Sequence, residues 1–165
     1  MLKPSFCLMI AALTLAPLSQ AQALCLYKGV FSAKTTIAQE FADSRWVVRA
    51  RVTAQTDSWA DARIDDEAPW TLYRVEILEA FKGNPPAAMK VFTMRDSGGF
   101  YLEPRPGEPD HYVDYLLFPI PKPHYLGDPA EAAGTAIVNY SCGMSKPWNE
   151  LTSEDIAALN AARRR

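Results

Sequence analysis

Two histidines, three cysteines and a spread of carboxylates are the side chains with which this 165-residue chain would have to do covalent or metal chemistry. A serine or cysteine nucleophile needs a base within hydrogen-bond reach. His111 follows Pro109 and Asp110 ahead of an apolar stretch, and His124 sits between Pro123 and Tyr125, so both read as exposed structural residues rather than as bases. No Gly-x-Ser-x-Gly elbow accompanies them. Metal sites gather ligands at short spacings, and neither Cys-x-x-Cys nor His-Glu-x-x-His occurs. The carboxylates Asp61, Asp65, Asp66 and Glu67 do not follow a calcium-loop spacing and read as a solvated acidic face. Asp96-Ser97-Gly98-Gly99 lacks the lysine and helix of a phosphate-binding loop and reads as a turn. The expectation is a protein without turnover, resident metal or cofactor.

The cysteines point to a different use. Lys3, the apolar stretch from Phe6 to Leu18 and the small-residue pattern Ala21-Gln22-Ala23 form a secretory signal cut after Ala23. That stretch is too short to cross about 30 Å of hydrocarbon, and no later segment is apolar enough, so no membrane span is expected. Leu24 before Cys25 argues against a lipid anchor. Residues 1–23 are therefore read as a signal peptide and 24–165 as one secreted or periplasmic domain. Cys7 leaves with the signal, and Cys25 and Cys142 remain in an oxidising compartment, where they are expected to pair. Such a bridge closes a loop of 142 − 25 = 117 residues, worth about 4–5 kcal/mol on the chain-entropy account. Two free buried thiols are the alternative. The net charge of −2, with scattered cations, gives no nucleic-acid footprint. The run Arg163-Arg164-Arg165 reads as a solvated tail at the negative end of a helix.

These residues need a scaffold. Thr36-Ile37-Ala38-Gln39 is a capping box and predicts a short helix ending near Asp43 or Ser44. From Arg45 to Thr53 apolar and charged residues alternate with the period of a strand, and the acidic residues 54–69 read as a long loop. Further strands are predicted over Thr71–Phe81, Met89–Met94, Tyr112–Phe118 and Thr135–Cys142, the fourth stopped by Pro119, Pro121 and Pro123. Thr152 and Asp155 cap a last amphipathic helix. The predicted architecture is mainly β: a five-stranded OB-like Greek-key barrel with flanking N- and C-terminal helices. Trp46, Phe81, Tyr115 and Tyr140 are candidate core residues, whereas Trp59 and Trp70 lie in or beside the acidic loop, either as partner anchors or folded back on the barrel.

Four ordered stretches carry a family likeness: Phe41 to Val52, Tyr73 to Gly83 with its terminal Phe-Lys-Gly, Tyr115 to Phe118, and Cys142 followed by Pro147-Trp148 and the last helix. Together they resemble the inhibitory domain of the tissue inhibitors of metalloproteinases and the wider netrin-module group. The resemblance implies an OB-type barrel and a non-catalytic, protein-binding function with a zinc metalloprotease as partner. It also implies a contact edge built from Leu24, Cys25, Leu26 and Tyr27 with Ser97, Gly98, Gly99 and Phe100, beside Trp59. In that family the first cysteine of an N-terminal Cys-x-Cys chelates the target's zinc. Here Leu26-Tyr27 follows Cys25, so the second cysteine is missing. By the same resemblance Trp148 packs the last helix against the barrel, and its replacement by alanine is expected to cost about 3 kcal/mol or more if it is buried. A structural or adhesive envelope component is the alternative reading.

Overall fold

The computed structural model describes residues 35–58, 69–94, 102, 114–139 and 143–165, together with the backbone of 26–27 and 30–31. The expected signal peptide and Leu24, Cys25, Trp59, Ser97 to Phe100, His111, Tyr140 and Cys142 lie outside the described residues. Leu26–Tyr27 (β1) and Val30–Phe31 (β2) pair as a two-stranded ribbon apart from the main sheet.

Thr36 opens the helix Ile37–Asp43 (α1) with a complete capping box. Its side chain accepts from the Gln39 amide at 3.2 Å, and Gln39 Oε1 accepts from the Thr36 amide at 2.9 Å. At the other end, Lys82 Nζ donates to the carbonyls of Phe41 and Ala42 at 2.6 and 2.9 Å, which satisfies acceptors that a helix end leaves open. Thr152 and Asp155 form the same reciprocal box at the start of Ser153–Arg163 (α2). Partial burial pushes the Asp155 carboxyl up, but the Thr152 amide and the Lys146 ammonium outweigh it and hold it below the usual carboxylate range.

Between the helices the chain is mainly β. A sheet of seven strands runs in the order β7-β8-β5-β4-β3-β6-β9. Its centre is Val47–Ser58 (β3), Trp70–Lys82 (β4) and Ala88–Met94 (β5), joined as an antiparallel meander. Asp114–Leu117 (β6) and Ile120–Pro121 (β7) follow. Ala136–Ile137 (β8) and Lys146–Pro147 (β9) complete it. β6 and β7 are two halves of one extended stretch bent at Phe118–Pro119, where a proline removes a ladder donor. Because β6 pairs with β3 and β7 pairs with β8, this one stretch touches both ends of the sheet and curls it into a barrel-like shape.

The count of five strands predicted from sequence differs for local reasons. β3 runs five residues into the expected loop, since Ala54 to Ser58 find partners on β4 down to Trp70. The strand expected over Thr135–Cys142 is two residues long in the described part, and it meets β5 in parallel at Val91↔Ala136 alone. The β3–β4 ladder shifts register three times, with Phe81 and Leu78 as the extra residues on β4 and Thr53 as the extra residue on β3.

β3 is buried on both sides. Val48, Ala50 and Val52 face an inner core with Tyr73, Val75 and Leu117. Val47 faces the opposite way, into a cluster with Ile37, Leu116, Phe118 and Leu159 that the two helices cover. On that outer face Arg49 Nε and Arg51 Nε donate to the buried Asp114 carboxylate at 2.9 and 2.8 Å. The Arg49 guanidinium also lies 4.7 Å over the Trp148 ring, which stacks on Phe81 at 5.9 Å and 8°. Trp148 is half-buried in this sandwich. Trp148→Ala is therefore expected to cost about 2–3 kcal/mol, read as a lower urea midpoint with an unchanged slope. A loss below about 1 kcal/mol would reject the packing role.

Candidate functional site

Three residues at the end of β4 help to set up a concave surface of the described structure. Phe81 stacks on Trp148, Lys82 caps α1, and Gly83 turns the chain with φ +74°. A Cβ on Gly83 would lie 2.7 Å from the Arg45 carbonyl oxygen and 2.9 Å from Trp46 Cδ1, so only glycine lets the turn pass so close to the start of β3. Arg45 and Trp46 are thereby held at one end of a groove of about 590 Å³. The guanidinium of Arg45 lies 4.8 Å from the Trp46 ring.

One wall of the groove is the first half of β5, Ala88 to Lys90, and the other is formed by Pro121–Lys122 and Gly134–Ala136. The walls stay apart because β8 reaches β5 at Val91 and no earlier. Ala88, Met89 and Lys90 thus have no strand neighbour, among the described residues, on the side away from β4. The floor is apolar where Met89 and Ala136 are buried, and the rim is basic. Arg74 and Lys90 stand directly opposite each other on β4 and β5, both exposed, and neither has an ion-pair partner among the described residues. They also border a second depression of about 460 Å³ along the outer face, beside Thr53 and Thr56.

Lys122 differs from these cations. Its side chain is 6% exposed and is paired with Asp128, with Nζ 5.3 Å from the Phe92 ring centre and 5.1 Å from that of Tyr125. The hydrogen bonds from Lys122 and from the Tyr125 amide, at 2.7 Å, hold the Asp128 carboxyl below its ordinary value. The Asp128 amide returns a bond to the Tyr125 carbonyl at 3.1 Å. This brace fixes the turn 125–128, with Gly127 at φ +90°, and holds Tyr125 and Leu126 out in solvent at 60% and 105% exposure.

The structure brings few of the sequence-derived candidates together. The backbone of Leu26 and Tyr27 lies in the separate ribbon, and the remaining residues of the expected edge lie outside the described residues. His124 is exposed on the Pro-rich turn. Trp70 is folded back, 7% exposed, with its ring 5.8 Å from that of Phe92. Among the described residues no three His, Cys, Asp or Glu side chains are grouped to hold a metal ion. No helix of the described residues is long and apolar enough to cross a membrane. Sequence reasoning missed the groove and the braced turn. The groove has no local signature, whereas Tyr125-Leu126-Gly127-Asp128 between prolines is an apolar pair in turn chemistry and was open to notice.

A scan against protein-family models and a search of the curated proteins each returned no match for this chain.

Proposed function

We propose that the chain is an exported, non-catalytic protein-binding module, built on an OB-type barrel of the kind found in the tissue inhibitors of metalloproteinases. The observation that carries this reading is the braced turn 125–128. An apolar tip is expensive to leave in water, and a rigid one loses little conformational freedom when a partner covers it. Tyr125 and Leu126 meet both conditions, because the Lys122–Asp128 pair, the Tyr125 amide on the Asp128 carboxylate and the Asp128 amide on the Tyr125 carbonyl fix the turn. An anchor of this type is how a few residues come to dominate a protein interface.

The test places a photo-crosslinking residue at position 126 of the full chain, and at the exposed Glu154 of α2 as a control. The expected result is one stoichiometric partner at 126, competed away by unlabelled protein and lost in Leu126→Asp. Equal labelling at both positions would reject the reading. In its inhibitory form the reading sets the edge from Leu24 to Tyr27, with Ser97 to Phe100, against a zinc metalloprotease. Titration against a panel of zinc endopeptidases checks that form, and unchanged proteolysis throughout the panel rejects it.

A further inference from the structure

We propose that the groove beside β5 is a strand-addition site for an acidic, extended peptide segment of a protein partner. This rests on the protein-binding reading but on different residues from the braced turn.

The backbone makes the first half of the argument. A strand without a neighbour presents unpaired amide and carbonyl groups, and proteins normally blunt or cover such an edge. Here the outward backbone groups of β5 ahead of Val91 are left open by the late arrival of β8, and the space beside them is walled rather than flat. Backbone groups alternate in direction along a strand: Ile77 N–H bonds to the Ala87 carbonyl, so Met89 faces β4, and the Ala88 amide and carbonyl and the Lys90 amide face the groove. Pro86 and Pro121 line the groove and have no amide to donate along it.

Charge makes the second half. Like charges directly opposite in a sheet destabilise it, yet Arg74 and Lys90 are cross-strand partners with no counter-ion among the described residues. Arg45, at the groove's end, has the Trp46 ring beside it and likewise no carboxylate. Lys122 is neutralised by Asp128. Glu76, two residues along β4 from Arg74, pairs with Ala88 in register and does not line the groove. Three cations thus surround an open strand edge, and the missing anions are what a ligand would bring. Successive side chains of an added strand alternate between faces, so carboxylates two residues apart would share the face that carries Arg74 and Lys90. A nucleic acid fits less well: among the described residues Trp46 is the one aromatic ring in the lining, where base stacking would use several, and the chain's net charge is −2.

The probe is a labelled hexapeptide alternating Glu and Val, blocked at both ends, titrated into the full processed chain and followed by anisotropy. Binding with 1:1 stoichiometry is expected, weakened at least tenfold by replacing Glu with Gln in the peptide or by N-methylating the amides that face the edge. Lys90→Glu and Arg74→Glu should each weaken it at least tenfold, and the double variant should bind the matching Lys–Val peptide instead. That swap separates lost recognition from lost folding. Undiminished binding of the N-methylated peptide would overturn strand addition, and tighter, competitive binding of a single-stranded oligonucleotide would overturn the peptide assignment. No binding of the Glu–Val peptide would overturn the proposal. If crosslinking at position 126 persists in that case, the groove assignment alone falls. If it is lost as well, the protein-binding reading falls with it.

Discussion

Replacing Glu40 by alanine is expected to cost about 3–5 kcal/mol and to lower the melting temperature by roughly 10 °C or more. Glu40 lies on α1 with 2% exposure, and its Oε1 is the meeting point of three donors. The Thr35 hydroxyl, Asn139 Nδ2 at 3.2 Å and the Met144 amide at 3.0 Å all bond to it. One oxygen therefore clasps the segment before α1 to both flanks of residues 140–142. Truncation removes the acceptor, opens a cavity and withdraws a bond from the Met144 amide, and each of these is costly in a buried place. The position of the charge makes a sharper contrast available. Oε2 is buried without a hydrogen-bond partner among the described residues, so Glu40→Gln keeps the working oxygen and gives up an atom that bonds nothing. The glutamine variant keeps the acceptor and the volume, and should accordingly lose less than the alanine one, the remaining cost being an amide donor left without an acceptor. Urea midpoints for the two variants check this, and an alanine variant within about 1 kcal/mol of the parent would reject the clasp.

That clasp also shows which parts of this molecule were legible in its sequence. Both helices were, because Thr36 with Gln39 and Thr152 with Asp155 are three residues apart, and a capping box is complete within one turn of chain. The central strands were legible for the same reason, since alternation around Val48, Ala50 and Val52 is local. Their extent was not. The polar stretch Ala54 to Ser58 has no apolar period, and it is strand only because β4 is there to pair with it. The last barrel strand failed in the opposite direction, with apolar residues that reach β5 at one position. The groove was hidden more deeply, because its cations are 45, 74 and 90 in the sequence and each alone reads as a solvated charge. Only the β4–β5 register puts Arg74 opposite Lys90. Glu40 was likewise invisible, a charged residue in an amphipathic helix whose partners come about a hundred residues later. In the Phe-Lys-Gly at the end of β4, by contrast, the residues quoted for a family likeness turn out to have three separate physical tasks.

The glycine of that trio supports the second large effect. Gly83→Ala is expected to cost about 2–4 kcal/mol and to disturb the groove as well. Two penalties combine. An L-residue at φ +74° pays about 1–2 kcal/mol for the left-handed conformation alone. The new methyl group would then sit 2.7 Å from the Arg45 carbonyl oxygen, a backbone atom that cannot rotate away, and 2.9 Å from Trp46 Cδ1. Relief requires the start of β3 to move, and with it Arg45 and Trp46, which form one end of the groove. Gly127 and Gly134 are the internal controls. Both have positive φ, at +90° and +68°, but a Cβ on either would meet nothing within 4 Å. Alanine there should cost only the conformational part, about 1 kcal/mol. The comparison isolates the close approach from the backbone strain, because strain is common to all three positions and the clash belongs to one. Thermal unfolding of the three variants gives the order. If Gly83→Ala falls no further than the other two, the turn does not press on Arg45 and Trp46, and the groove owes its shape to something else.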